Sequence, residues 1–278
     1  MQLGIRLHDG EKLPVEELLP IIKSRGFKCA HIALSKSCKD IPGDPAALTP
    51  GLAMYLRKQF AENEIDIAVL GCYLNLADPD KERLAENTGK YLAHIRFASL
   101  MGCGVVGTET GAPNSEYRFV PECRSEEALA TFIKNLRPVV GYAEKMGVIL
   151  AIEPVYKHIV YSPERARIVL DTINSPNLQI IFDPVNLLAV DNLSERDRLL
   201  ARTVDLLGDD IAVVHIKDYK VQGDELVSIA AGTGEMDYTE IMRFIKKRKP
   251  YIHVTLENTT PENAEAARKY IQGIYDSI

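Results

Sequence analysis

Five apolar runs in this 278-residue chain stop on a side chain that can bind a cation or move a proton. They are GVVGTETG, ending at Glu109, VILAIEPV at Glu153, IIFDPVN at Asp183, IAVVHIKD at His215 and IHVTLEN at Glu257. Burying a carboxylate unpaired is costly, so an acid at such a place marks either a solvated strand end or a site. One acid alone reads as a solvated end; five groups in succession, each closing a consecutive run, read as one shared cleft. Carboxylates crowded together without a cation repel one another and resist ionisation, and a divalent ion is the simple compensation. Glu153, Asp183, His215 and Glu257 offer three oxygens and one nitrogen. That set is too hard for a thiolate-preferring ion and lacks the several imidazoles of many zinc enzymes. It favours one manganese or magnesium ion, with cobalt or zinc able to substitute.

The elements that would aim these groups alternate regularly. Strands are expected at residues 2–6, 29–34, 66–70, 104–108, 148–152, 179–182, 211–216 and 252–256. Helical patterns follow at 15–25, 49–63, 81–101, 125–146, 163–173, 194–207, 238–247 and 261–275. Thr49, Ser125, Ser162 and Thr260 stand as N-caps, three of them before a proline at the first helical position. Gly26, Gly102 and Gly147 mark helix ends, and Pro20 and Pro138 should kink or shorten the helices that contain them. Eight β/α units with no linker, and no GxGxxG after the first strand, point to an α/β fold. The expected form is a (β/α)₈ TIM barrel, one domain over residues 1–278, with its site at the carboxyl ends of the strands.

Composition narrows the partners. A net charge of −6 and a pI near 5.6 oppose a phosphate-binding face, and KKRKP at 246–250 reads as the solvated end of a helix. No nucleic-acid partner is expected. Neither a long apolar span nor a basic, apolar leader is visible, so no membrane partner is expected and a cytoplasmic location is. The five cysteines, with no CxxC pair, read as reduced packing thiols.

The segments AIEPV, FDPVN, VVHIKD and VTLEN, with the glycine-rich AGTGEMDY between the last two, resemble the xylose-isomerase-like TIM-barrel superfamily over nearly the whole chain. That group includes ketose 3-epimerases, hydroxypyruvate isomerase, inosose dehydratase and repair endonucleases. The resemblance implies that Glu153, Asp183, His215 and Glu257 are metal ligands and that Glu153 and Glu257 also act as acid and base. It implies a metal-dependent sugar or sugar-phosphate isomerase or epimerase working through an enediolate, and a possible homo-oligomer. An inosose-type dehydratase and a non-catalytic carbohydrate-binding barrel are the alternatives. The repair-nuclease branch needs more histidines at ligand positions than this chain supplies.

Asn186 stands where the epimerase branch places a histidine; an amide can bind a substrate hydroxyl but cannot take up a proton as imidazole does. Glu109, His8, His158 and Lys217 complete the expected substrate contacts, Lys217 through an anionic substrate group. His31, His94 and His253 read as structural residues, and residues 110–125 as a lid.

Overall fold

Short apolar runs form eight strands that pair edge to edge until none of the eight has a free edge. The computed structural model describes residues 1–278 apart from the side chain of Ser35. Its strands are β1 (Gln2–Arg6), β2 (Cys29–Ile32), β3 (Asp66–Gly71), β4 (Val105–Glu109), β5 (Ile149–Glu153), β6 (Leu178–Phe182), β7 (Ile211–Ile216), β8 (Asp218–Gln222), β9 (Glu225–Ile229) and β10 (His253–Leu256). β1 to β7 and β10 form a closed parallel barrel, sealed where β1 pairs with β10 from Gln2↔His253 to Ile5↔Leu256. β8 and β9 form a separate antiparallel hairpin.

Around the barrel lie α1 (Val15–Ser24), α2 (Leu34–Ser37), α3 (Pro50–Glu62), α4 (Lys81–Met101), α5 (Glu126–Met146), α6 (Pro163–Ile173), α7 (Arg196–Leu207), α8 (Thr239–Arg248) and α9 (Ala264–Ser277). Each long helix turns its apolar stripe inward, as an amphipathic helix must; in α5 these residues include Leu129, Phe132, Leu136 and Val140. Thr49, Ser125 and Ser162 accept hydrogen bonds from the amides of Leu52, Ala128 and Arg165, as expected of N-caps. Gly102 and Gly147 close α4 and α5 in the left-handed conformation. Inside the barrel, Cys29, Val69, Ala151, Ile181 and Val213 pack into a small core of their own. Gly107 makes room for it, because a Cβ there would lie 2.7 Å from both Ile181 and Val69.

Several boundaries differ from the sequence reading. Strand two stops at Ile32, and Leu34 instead begins the short α2. α9 begins at Ala264, not 261, and Thr260 does not cap it: its own amide donates to Asn263 Oδ1. Pro20 and Pro138 do not end α1 or α5. The β8–β9 hairpin was not foreseen, although its two-residue turn is Gly223-Asp224, with Gly223 at φ +60°. All five cysteines are buried and free, and among the described residues no helix is long and apolar enough to cross a membrane.

Candidate active site

Side chains alternate along a strand, so the inward set at the carboxyl end of each barrel strand faces one mouth. A cavity of about 420 Å³ opens there, and Arg6, His8, His31, Tyr73, Glu109, Glu153, Asn186, Lys217 and Glu257 are among the residues that line it. Four of the five expected substrate contacts are therefore at the cavity wall. The fifth, His158, sits behind Glu109 with its Nδ1 3.8 Å from Glu109 Oε2 and its ring edge-on to Tyr117. A second groove of similar size, about 410 Å³, lies outside the barrel between α7 and α8 and has no histidine in its lining.

The four expected ligands meet beneath this cavity, all buried. His215 Nδ1 lies 3.2 Å from Glu257 Oε1 and 3.4 Å from Glu153 Oε2. The remaining oxygens are held elsewhere. Glu153 Oε1 accepts from Asn186 Nδ2 at 2.6 Å, and Glu257 Oε2 faces Arg6 Nη1 at 3.1 Å. Asp183 Oδ1 accepts from the amides of Val185 and Asn186 at 2.9 and 3.1 Å, bonds made by the turn that follows Pro184. Arg6 is itself fixed by a two-bond fork to Asp9, both at 3.0 Å.

This arrangement fits a metal ion. Separations of about 3.0–3.4 Å are what an ion with bonds near 2.1 Å leaves between neighbouring ligand atoms. Among the described residues, neither nitrogen of His215 makes a hydrogen bond, close as the carboxylates are. Glu153, Asp183 and His215 converge as one candidate ligand group, and His31, His215 and Glu257 as another. Burial alone would raise the Glu257 carboxyl, but His215, Lys217 and Arg6 hold it well below the usual carboxylate range. Burial disfavours the charged form of His215 too, yet Glu257 and Glu153 raise its pKa.

A family model described as the xylose isomerase-like TIM barrel matches residues 19–274. The chain belongs to that family. Among curated proteins, none matches it in sequence. Its fold is that of a D-tagatose 3-epimerase-like protein, at 20% identity and TM-score 0.77 over 100% of this chain and 98% of the other. It is also that of the IOLI protein with a binding zinc atom, at 18% identity and TM-score 0.76 over 100% and 99%. The 3-keto-D-glucoside 4-epimerase of E. coli matches at 16% identity and TM-score 0.75 over 98% and 99%.

Within this family frame some placements correct the sequence reading. Lys217 lines the cavity but is not a solvated rim lysine: it is buried, its Nζ 2.8 Å from Asp183 Oδ2 and 3.4 Å from Glu257 Oε2. Burial opposes its charge, yet the surrounding carboxylates raise its pKa. His31 is not a packing residue turned away from the site. Its ring stacks on His215 at 5.2 Å, and its Nε2 is 3.3 Å from the Tyr73 hydroxyl. Gly71 allows this, since a Cβ there would fall 2.7 Å from His31 Nε2. Burial and the cations Arg6, Lys12 and Lys36 lower His8 to about 4, although Glu257 opposes them, so it is neutral at pH 7. His94 and His253 are structural as expected, bonded to the Lys90 carbonyl and to Asp66.

Arg6 and Tyr73 went unread, and His31 was read as structural, because each looks like one polar residue among apolar neighbours; the one available signal was the period-two spacing of Arg6 and His8. The expected lid reaches the cavity through Tyr117, whose hydroxyl donates to Glu109 at 3.3 Å. Arg124 at the far end of that loop stacks on Tyr156 and Tyr161 at 4.7 and 4.9 Å.

Proposed function

We propose that the protein is a divalent-metal-dependent isomerase or epimerase of a small sugar or sugar phosphate, acting by proton abstraction beside a carbonyl. The observation that carries this reading is the pairing of Glu153 and Glu257. They come from strands separated by two others, and each turns one oxygen toward His215 while a second partner holds the other. An ion held by Glu153, Asp183, His215 and Glu257, with manganese the best match to the donor set, would polarise the substrate carbonyl.

The chain's own residues supply the rest. One glutamate removes the proton from the carbon next to the carbonyl and the other returns a proton from the far side. Return to the same carbon inverts it, and return to its neighbour interconverts aldose and ketose. Asn186 and Arg6 keep the two carboxylates turned for these transfers, while Tyr117 narrows the path for water. A cavity of about 420 Å³ is the size that holds one small polar ligand.

Incubating the protein with ketoses, aldoses and their phosphates in D₂O with Mn²⁺ tests the reading by mass. Metal-dependent entry of deuterium at carbon supports it, and a net loss of water marks a dehydratase instead. No exchange across the panel, from protein shown to bind Mn²⁺, favours a binding barrel.

A further inference from the structure

Lys217 has no part in the proton transfers above, yet it is the cation most deeply set among the expected ligands. Asp183 commits Oδ1 to the Val185 and Asn186 amides, so Oδ2 is the oxygen it has left for a cation. The Lys217 ammonium stands 2.8 Å from that same oxygen and also reaches Glu257 Oε2 at 3.4 Å. An ion bonded to Oδ2 at about 2.1 Å would have the ammonium no more than about 5 Å away. In a buried cleft two positive charges at that distance are poorly screened.

We propose that Lys217 is a tethered counter-ion, which holds the ligand carboxylates together before a metal arrives and is displaced from Asp183 when one binds. The inference rests on the metal-dependent reading of the site and adds to it how the ion enters: by exchange for a cation that the chain carries. A lysine suits the task because its flexible four-carbon stem lets a point charge swing aside, where a guanidinium would stay locked to its carboxylates. The metal-free protein then keeps its carboxylates compensated, and its metal affinity is lower than four such ligands would otherwise confer.

The test compares the wild type with Lys217→Met and Lys217→Arg by Mn²⁺ titration calorimetry and by thermal melting with and without Mn²⁺. Lys217→Met is expected to bind Mn²⁺ about tenfold tighter or more, a difference of about 1.4 kcal/mol per factor of ten. Its metal-free form should melt below the metal-free wild type, with saturating Mn²⁺ closing the gap, while Lys217→Arg keeps weak binding. A Lys217→Met protein that folds only with Mn²⁺ gives the same support. Equal or weaker Mn²⁺ binding by Lys217→Met, beside a wild type that binds, overturns the inference and leaves the metal reading standing. Failure of Lys217→Met to fold even in Mn²⁺ also overturns it, because ion and ammonium would then not be interchangeable. Absence of Mn²⁺ binding in all three proteins overturns both.

Discussion

Asn186 governs how Glu153 is presented. Its amide donates to one oxygen of Glu153 while its own backbone N–H is tied to Asp183. Replacing it by alanine should lower kcat by about 10- to 100-fold, the usual cost of removing a group that orients a ligand; steady-state kinetics beside a melting curve would separate this from unfolding. Glu257→Gln keeps the shape and the Arg6 contact but removes the carboxylate that takes up and returns a proton, so deuterium incorporation should nearly vanish with circular dichroism unchanged. Undiminished exchange would contradict the acid/base role. His158 offers a pH test. Burial lowers it to about 4 from 6.5, with Glu153 opposing, so on acidification the unfolded chain binds the proton first. Its contribution to stability is complete above pH 6.5 and is lost as the pH falls from there through 4. His158→Gln should therefore flatten the fall in urea midpoint across that window, an effect bounded at about 3 kcal/mol. The convergence of Glu153, Asp183, His215 and Glu257 was legible in the sequence because each ends an apolar run. Lys217 was visible, but its burial was not: two residues past His215 it shares the inward direction, and only the neighbouring strands show that carboxylates fill the space there.

The connection after β7 shows what a buried acid does for an element. Both oxygens of Asp218 are occupied by backbone amides: Oδ1 by Tyr219 and Met236, each at 2.9 Å, and Oδ2 by Gly232 and Gly234, each at 3.0 Å. Gly234 has to lack a side chain, because a Cβ would sit 2.2 Å from the Tyr219 carbonyl. The glycine-rich AGTGEMDY segment is thus an amide cradle around one carboxylate that secures the base of the hairpin. Asp218→Ala leaves these donors without their acceptor, at a cost of about 3 kcal/mol or more. Urea unfolding should show the loss, and limited proteolysis should cut first between residues 219 and 238. Helix starts with a side-chain cap were readable from Thr49, Ser125 and Ser162, because that bond is made within one turn. Thr260 misled for the complementary reason: the backbone there is set by Asn263, and the residue type alone does not say which of two polar groups accepts.

The whole barrel depends on joining its two ends. β1 is hydrogen-bonded between β2 and β10, so a chain cut before His253 would leave β1 and β7 with bare edges. Such a truncation should lose the near-ultraviolet signal of packed aromatics and not merely lower the melting temperature. The eightfold alternation was readable from sequence because parallel strands and their helices are local patterns. The ring of inward groups was not, since Arg6, His31 and Tyr73 become neighbours of Glu257 and His215 only once the register is closed. That closure also sets a schedule. Arg6 leaves the ribosome well before Glu257, and at about 5–20 residues per second the roughly 250 residues between them take from about 12 to 50 seconds to make. Throughout that interval Arg6 has Asp9, three residues away, as its nearby anion. The fork between them spans three residues, so it needs no other part of the barrel, and once the final strand is in place it aims the guanidinium at Glu257.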